Sequence, residues 1–476
     1  MKISISTHKI LLRVTILAGF AVTMQSCFVA KDYQRPEFEE TSNLYRTDNL
    51  PQDSTSMAEV SWRDLFTDPY LTQYIEKGLE NNLDIRIAVQ QIMAAEAYVK
   101  QGKAGYLPSL SAGGTATRSY LSKNGQQGAI LSSLGTDHVD QFELSGNLTW
   151  EADIWGKIRS NKRAYVANYL KTVAAHKAVK TQLIADIAST YYQLLALDAQ
   201  LKVTQETVAS REKSVETIKA LKDAGQVNQV AVDQNAAQLY NAQALMVDLK
   251  TTIFKAENTL SILLGEAPNN FERGTLDTET LDTKLDLGVP ALLLRNRPDV
   301  QVAEFNLVNA FELTNVARSN FYPSFTFSAS GGLQSLTLDK LFDSSSFFAT
   351  LVGGITQPIF NKRQIKTQYE VAKSQQEQAA LNFEKTLLSA GKEVSDALYS
   401  YEASKEQYQY RLKEVTSLRK AEENSEELLN NGFGTYLDLL TARQSALSAE
   451  LNVINNKLQQ LTSVVTLYHA LGGGWQ

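Results

Sequence analysis

The chain has 476 residues, a formal net charge of −6 and a single cysteine. That charge argues against nucleic-acid binding, and one cysteine excludes a disulfide within the chain. Beyond residues 1–26 no stretch approaches the run of about 20 apolar residues that a spanning helix needs. A membrane could then be crossed only by strands closed into a barrel.

Residues 1–26 read as an export signal. Lys2, Lys9 and Arg13 form a basic start, and Val14 to Val22 is apolar but too short to span. Cys27 follows Ser26 directly, the placing of a lipoprotein cleavage site, so Cys27 is expected to carry lipid and become the mature N-terminus. The alternative, a free thiol in an exported protein, would be reactive. Residues 27–59 are polar, with Pro36 and Pro51, and read as an extended tether. From Trp62 the pattern turns helical. Leu71, Ile75 and Leu79 recur at helical spacing, and Asp68-Pro69 suits a helix start. A second helix is expected from Asp84 to about Gly102.

At Pro108 this helical pattern gives way to a strand pattern, and the same junction recurs at Pro323. The offset is 323 − 108 = 215 residues, and it also aligns Asp84 with Asp299 and Ala95 with Ala310. Strands are expected at about 107–118, 140–152, 323–333 and 346–357. Phe142, Leu144, Leu148 and Trp150 alternate with polar residues; Phe325, Phe327 and Ala329 alternate with Ser324, Thr326 and Ser328. The length and parity suit membrane strands with lipid outside and water inside, although two amphipathic hairpins on a soluble domain would look alike.

Residues 157–224 hold neither glycine nor proline and read as one helix of roughly 100 Å. A second long helix is expected over about 361–431. Each ends in a turn, at Gly225 and Gly432, before a shorter return helix. Here the offset is 432 − 225 = 207, the difference from 215 being assigned mainly to a longer hairpin loop near Ser122–Asp137. The chain is therefore two duplicated halves, 60–272 and 273–476. The long helices carry few large apolar residues, so no conventional core is expected within one chain. Lateral packing against identical copies in a coiled-coil-like wall is expected instead.

Leu293-Leu294-Arg295-Asn296-Arg297-Pro298-Asp299-Val300 with Ala303-Glu304 resembles a characteristic segment of the outer-membrane efflux protein family, of the TolC and OprM type. So do Trp150-Glu151-Ala152-Asp153-Ile154-Trp155-Gly156-Lys157, Gln357-Pro358-Ile359-Phe360 and Ala470-Leu471-Gly472-Gly473-Gly474-Trp475. Asp32-Tyr33-Gln34-Arg35-Pro36 is similar to the start of its lipoprotein branch. The resemblance implies a mainly α chain with a membrane β-barrel portion. It implies a homotrimer in outer-membrane lipid, each protomer giving four strands to a shared twelve-stranded barrel continued by a helical tunnel through the periplasm. Its partners would be a periplasmic adaptor and an inner-membrane pump of the RND type. The function implied is a passive exit duct for drugs, toxic compounds or metals; the alternatives are a type I protein-secretion duct and a non-conducting structural or adaptor lipoprotein.

The resemblance also implies a gate at the narrow periplasmic end. The match runs from Gly432 through Thr435 and Tyr436 to Asp438, with Thr441 where some members carry a second acid and Ala231 opposite in the first half. One carboxylate ring is thus expected, the alternative for Asp438 being a helix-start residue favoured by the dipole. No enzyme, cofactor or metal is expected. His8, His138, His176 and His469 fall in the signal, a loop and helices without metal or triad spacing, and Gly156-Lys157 is no phosphate loop. Glu422, Glu423, Glu426 and Glu427 read as a solvated face, and Trp150, Trp155, Tyr322 and Phe360 as an aromatic belt at strand ends.

Overall fold

The computed structural model describes residues 29–36, 44, 56–279 and 293–475. In chain order come α1 (Pro69–Asn81), α2 (Leu83–Ala104), β1 (Ser109–Tyr120), β2 (His138–Ala152), α3 (Lys157–Asp223) and α4 (Gln229–Leu263). The second half supplies α5 (Pro298–Ser319), β3 (Ser324–Ser335), β4 (Phe347–Thr356), α6 (Gln364–Asn430) and α7 (Tyr436–Leu471). Both long helices have 67 residues. Residues fall into two compact units, each described in turn.

The first unit takes the described residues up to Pro36, with Met93–Leu170 and Glu304–Leu381. Its four strands form one antiparallel sheet in the order β1-β2-β3-β4. Ser109 pairs with Thr149, Leu148 with Ala329, and Ser324 with Thr356. Helices here meet through small residues, Ala95, Ala164, Ala167, Ala317 and Ala379 all being buried. The junction prolines Pro108 and Pro323 each stand immediately before a strand, where the missing N–H breaks no ladder bond.

Several expectations need correction in this unit. The hairpin loop near Ser122–Asp137 contains a helix, Gln126–Ser133, which runs through Gly128 and the apolar Ala129 to Leu131. His138 is the first residue of β2 rather than a loop residue. Strand bounds shift by up to two residues, and α6 starts at Gln364, three past the expected 361, because Lys362 and Arg363 adopt φ of 53° and 66°. The described part of the tether, from Val29 to Pro36, is strapped to α5. Lys31 N–H donates to Asn315 Oδ1 at 3.2 Å, Asn315 Nδ2 to the Lys31 carbonyl at 2.9 Å, and Arg318 to the Val29 carbonyl at 3.2 Å. Arg35 grips Glu304 through two bonds of 2.6 and 2.8 Å, and Tyr33 packs edge-on to Phe311. A polar composition hides such a strap, since its bonds run through backbone groups that every sequence carries.

The second unit takes the described residues of Glu37–Ile92, Lys171–Ala303 and Asn382–Gln476. It does hold a core within one chain, against expectation. Ile184, Ile187, Tyr191, Tyr192, Leu194 and Leu195 of α3 are buried with Leu71 and Ile75 of α1, Phe383 of α6, and Leu260 and Leu467 of the return helices. Averaged over 67 residues α3 is close to neutral between polar and apolar; its large buried side chains are concentrated in three turns. Residues 56–59 also depart from a tether: Met57–Glu59 form a 3₁₀ turn with Met57 and Ala58 buried.

The link leaving the first half is clamped to this core. Arg273 donates to Asp198 at 2.5 and 3.0 Å and to Glu257 at 2.7 Å, and the Tyr74 hydroxyl donates to the Glu272 carbonyl at 2.6 Å. Beside it Glu279 is 7 % exposed, and burial, then the neighbouring Asp68 carboxyl, push it from 4.5 up to about 7. A raised carboxyl binds its proton more tightly folded than unfolded. Stability from Glu279 is therefore complete below pH 4.5 and lost as pH rises through about 7. We expect unfolding midpoints to fall across that window by an amount equivalent to about 3 kcal/mol, and Glu279→Gln to flatten the fall. Identical pH profiles for parent and variant would remove the assignment.

Candidate functional site

Cys27 lies outside the described residues. The other singled-out residues gather in the second unit, at the turns that join long to return helices, apart from the junction prolines already placed. Gly225 and Gly432 have φ of 75° and 76°, a left-handed conformation that glycine takes without Cβ strain. Each turn closes by the same two bonds, Gly225 N–H to the Lys222 carbonyl and Gln226 N–H to that of Leu221, then Gly432 to Leu429 and Phe433 to Leu428.

Asp438 is exposed on the first turn of α7 and closes a capping box with Thr435. Its Oδ2 accepts from Thr435 N–H at 3.2 Å and from the Thr435 hydroxyl at 2.5 Å. Thr441 donates back to the Leu437 carbonyl of its own helix at 2.9 Å. Tyr436 is half-buried, with its hydroxyl pushed up by burial.

Sequence reasoning missed what joins the two helical hairpins here. Arg443 of α7 donates to Ser214 of α3, and also meets Glu426 at 3.1 Å and Glu422 at 3.5 Å. Arg211 of α3, 6 % exposed, donates to Gln238 of α4 at 2.6 and 2.8 Å and to Gln444 of α7 at 2.8 Å. Burial holds the Arg211 guanidinium below its ordinary range. Arg419 adds bonds to Glu450 at 2.6 Å and to Glu422 at 2.7 Å. Glu422 and Glu426 are thus partnered rather than merely solvated; the available signal was the spacing of Arg419 and Glu422 on one helix face. A cavity of about 500 Å³ lies beside this network, lined by Thr217, Leu221, Leu429, Tyr436 and Arg443.

A second centre lies where return helices meet the short helices. Asn82 Nδ2 donates to the Leu263 carbonyl at 3.0 Å, and Arg297 Nη1 to the Ala470 carbonyl at 2.8 Å. These are one contact made twice, since 297 − 82 = 215 and 470 − 263 = 207. Arg297, 3 % exposed, also binds Asp299 at 3.0 and 2.7 Å and Glu393 at 2.7 Å. Pro298 opens α5, so the Arg-Pro-Asp run pairs a guanidinium and a carboxylate across a helix start. Asp299 is lowered: burial opposes ionisation, and the Arg297 hydrogen bond and charge outweigh it.

These elements, two helix–strand–strand–helix halves sharing one sheet, have close counterparts among known proteins. The model of the outer membrane efflux protein family matches residues 74–266 and 289–473. The chain belongs to that family. It is 30 % identical over 467 residues to the solvent efflux pump outer membrane protein SrpC of Pseudomonas putida, covering 96 % of this chain and 98 % of that one. It is 27 % identical over 458 residues to the cation efflux system protein CusC of Escherichia coli O157:H7, covering 96 % and 97 %. Among solved structures, the open state of the Neisseria gonorrhoeae MtrE outer membrane channel superposes with a TM-score of 0.81 at 26 % identity, covering 94 % of this chain and 98 % of that one. The family read from the motifs, its mainly α fold with four strands per chain, and its place as the outer-membrane component of an efflux system all hold.

Proposed function

We propose that three copies of this chain close a twelve-stranded barrel and conduct small molecules passively from an inner-membrane pump of the RND type and a periplasmic adaptor to the outside. The observation that carries this is the sheet. Four strands are too few to close on themselves, and β1 and β4 are left as free edges bearing exposed Leu110, Leu351 and Ile355. Cys27 would carry the lipid, and the tip residues Tyr436, Asp438 and Thr441 would line the narrow end, with Asp438 in a capping role as well. The cargo classes proposed are those named for relatives, solvents or cations.

Two measurements test the reading. Purified protein in a planar bilayer should conduct, and Asp438→Asn should alter cation selectivity or multivalent-cation block. Absence of conductance would favour a non-conducting lipoprotein; unchanged selectivity and block would leave Asp438 as a cap alone. A deletion strain should gain susceptibility to solvents or to metal cations; defective export of a protein instead would favour a secretion duct. Mass spectrometry of the mature N-terminus should find lipid on Cys27.

A further inference from the structure

We infer the register in which neighbouring copies join: β4 of one pairs antiparallel with β1 of the next so that Ile355 faces Gly114, Gly353 faces Ala116 and Val352 faces Thr117. The inference rests on the proposed assembly of identical copies and adds to it a residue-level joint.

The duplication supplies the argument. Within the two hairpins Ser109 faces Thr149 and Ser324 faces Thr356. The first strand of each half is therefore displaced by 324 − 109 = 215 and the second by 356 − 149 = 207. The tip glycines carry the same 207, from Gly225 to Gly432, and the paired contacts of Asn82 and Arg297 carry both displacements. The halves are thus equivalent from the strands to the helix ends, without drift.

Inside the chain, β2 and β3 form the joint between halves: a second strand meets a first strand, with Leu148 opposite Ala329, Gly146 opposite Gly331 and Ser145 opposite Gly332. The free edges are again a second strand, β4, and a first strand, β1. A ring of copies brings those two together. Carrying the internal joint across, Leu148 becomes 148 + 207 = Ile355 and Ala329 becomes 329 − 215 = Gly114; likewise Ser145 becomes Val352 and Gly332 becomes Thr117.

Two observations that played no part in the arithmetic agree with it. The register keeps Phe347, Leu351 and Ile355 on the face of Leu110, Ala112 and Gly114, whereas a slip of one residue would turn one set to the opposite face. Pro358, which has no N–H to give, falls just past β4 where the ladder ends.

Cysteine pairs in the full-length protein in outer membranes test the register. Directly opposite residues lie about 4.5–5.5 Å apart at Cα, inside disulfide range, while diagonal neighbours at about 7–8 Å lie outside it. Val352→Cys with Thr117→Cys should convert monomer to covalent trimer on oxidation. Val352→Cys with Thr115→Cys, or with Ser119→Cys, should give no more than single-cysteine controls. Gly353→Cys with Ala116→Cys repeats the test on the other face, should the first pair fail to assemble. Assembly is scored separately with a lysine-reactive cross-linker. Trimers that link through a displaced pair, or through none of the pairs, overturn the register and leave the assembly standing. Absence of trimers from the parent protein with the lysine reagent overturns both.

Discussion

Arg297→Ala is expected to destabilise the helical unit by about 3 kcal/mol, the low end for removing one partner of a buried ion pair, because Asp299 and Glu393 keep part of their hydration. The guanidinium satisfies four acceptor contacts at once, and its removal strands the Ala470 carbonyl at the end of α7. Lysine should not rescue, since one ammonium cannot reproduce a planar fork. The first half contains its own control. Asn82 makes the equivalent bond to Leu263 without any ion pair, so Arg297→Asn should be milder than Arg297→Ala by retaining that bond. Heat or urea unfolding of the purified protein measures both. Equal losses for the two variants would show that the carbonyl contact contributes nothing.

With the tip as the proposed gate, Arg443→Ala should favour its open form. The side chain joins α7 to α3 through Ser214 and neutralises Glu422 and Glu426, two carboxylates on the facing long helix. Losing a charge-assisted hydrogen bond of about 1.5 kcal/mol in the closed state shifts a closed–open ratio roughly tenfold. Single-channel recordings should show a higher open fraction or conductance, and cells should admit bulky antibiotics normally excluded. Arg211→Ala should act in the same direction, since it removes the parallel link from α3 to α7. Recordings that match the parent for both variants would place the constriction away from this network.

The repeated elements were legible because both copies obey the same local chemistry. Pro108 and Pro323 mark strand starts, and Gly225 and Gly432 mark turns that only a left-handed residue closes cheaply. What stayed hidden depends on partners far apart in sequence. The Arg443–Ser214 contact spans 229 positions and the Lys31–Asn315 contacts span 284. No periodicity announces them. The core around Tyr191 and Tyr192 escaped for a different reason, because a 67-residue average dilutes a cluster confined to a few turns. At the candidate gate the position of Asp438 is readable from the sequence, and the Thr-x-x-Asp run at a helix start permits the capping box with Thr435 that the fold forms.

The arginine links between hairpins at the tip have no counterpart in the other half of the chain. Displaced by 207, Arg443 and Gln444 become Ala236 and Ala237, while Arg211 and Ser214 become Leu418 and Ala421. In the proposed ring of three, seams linked by arginine at these positions would alternate with seams that carry small or aliphatic residues there. The six hairpins would then behave as three stiff blades, each a whole chain, parting along the smooth seams first. Widening would start threefold and stay threefold until the stitched seams gave way, so the narrow end would have two sizes of aperture rather than one.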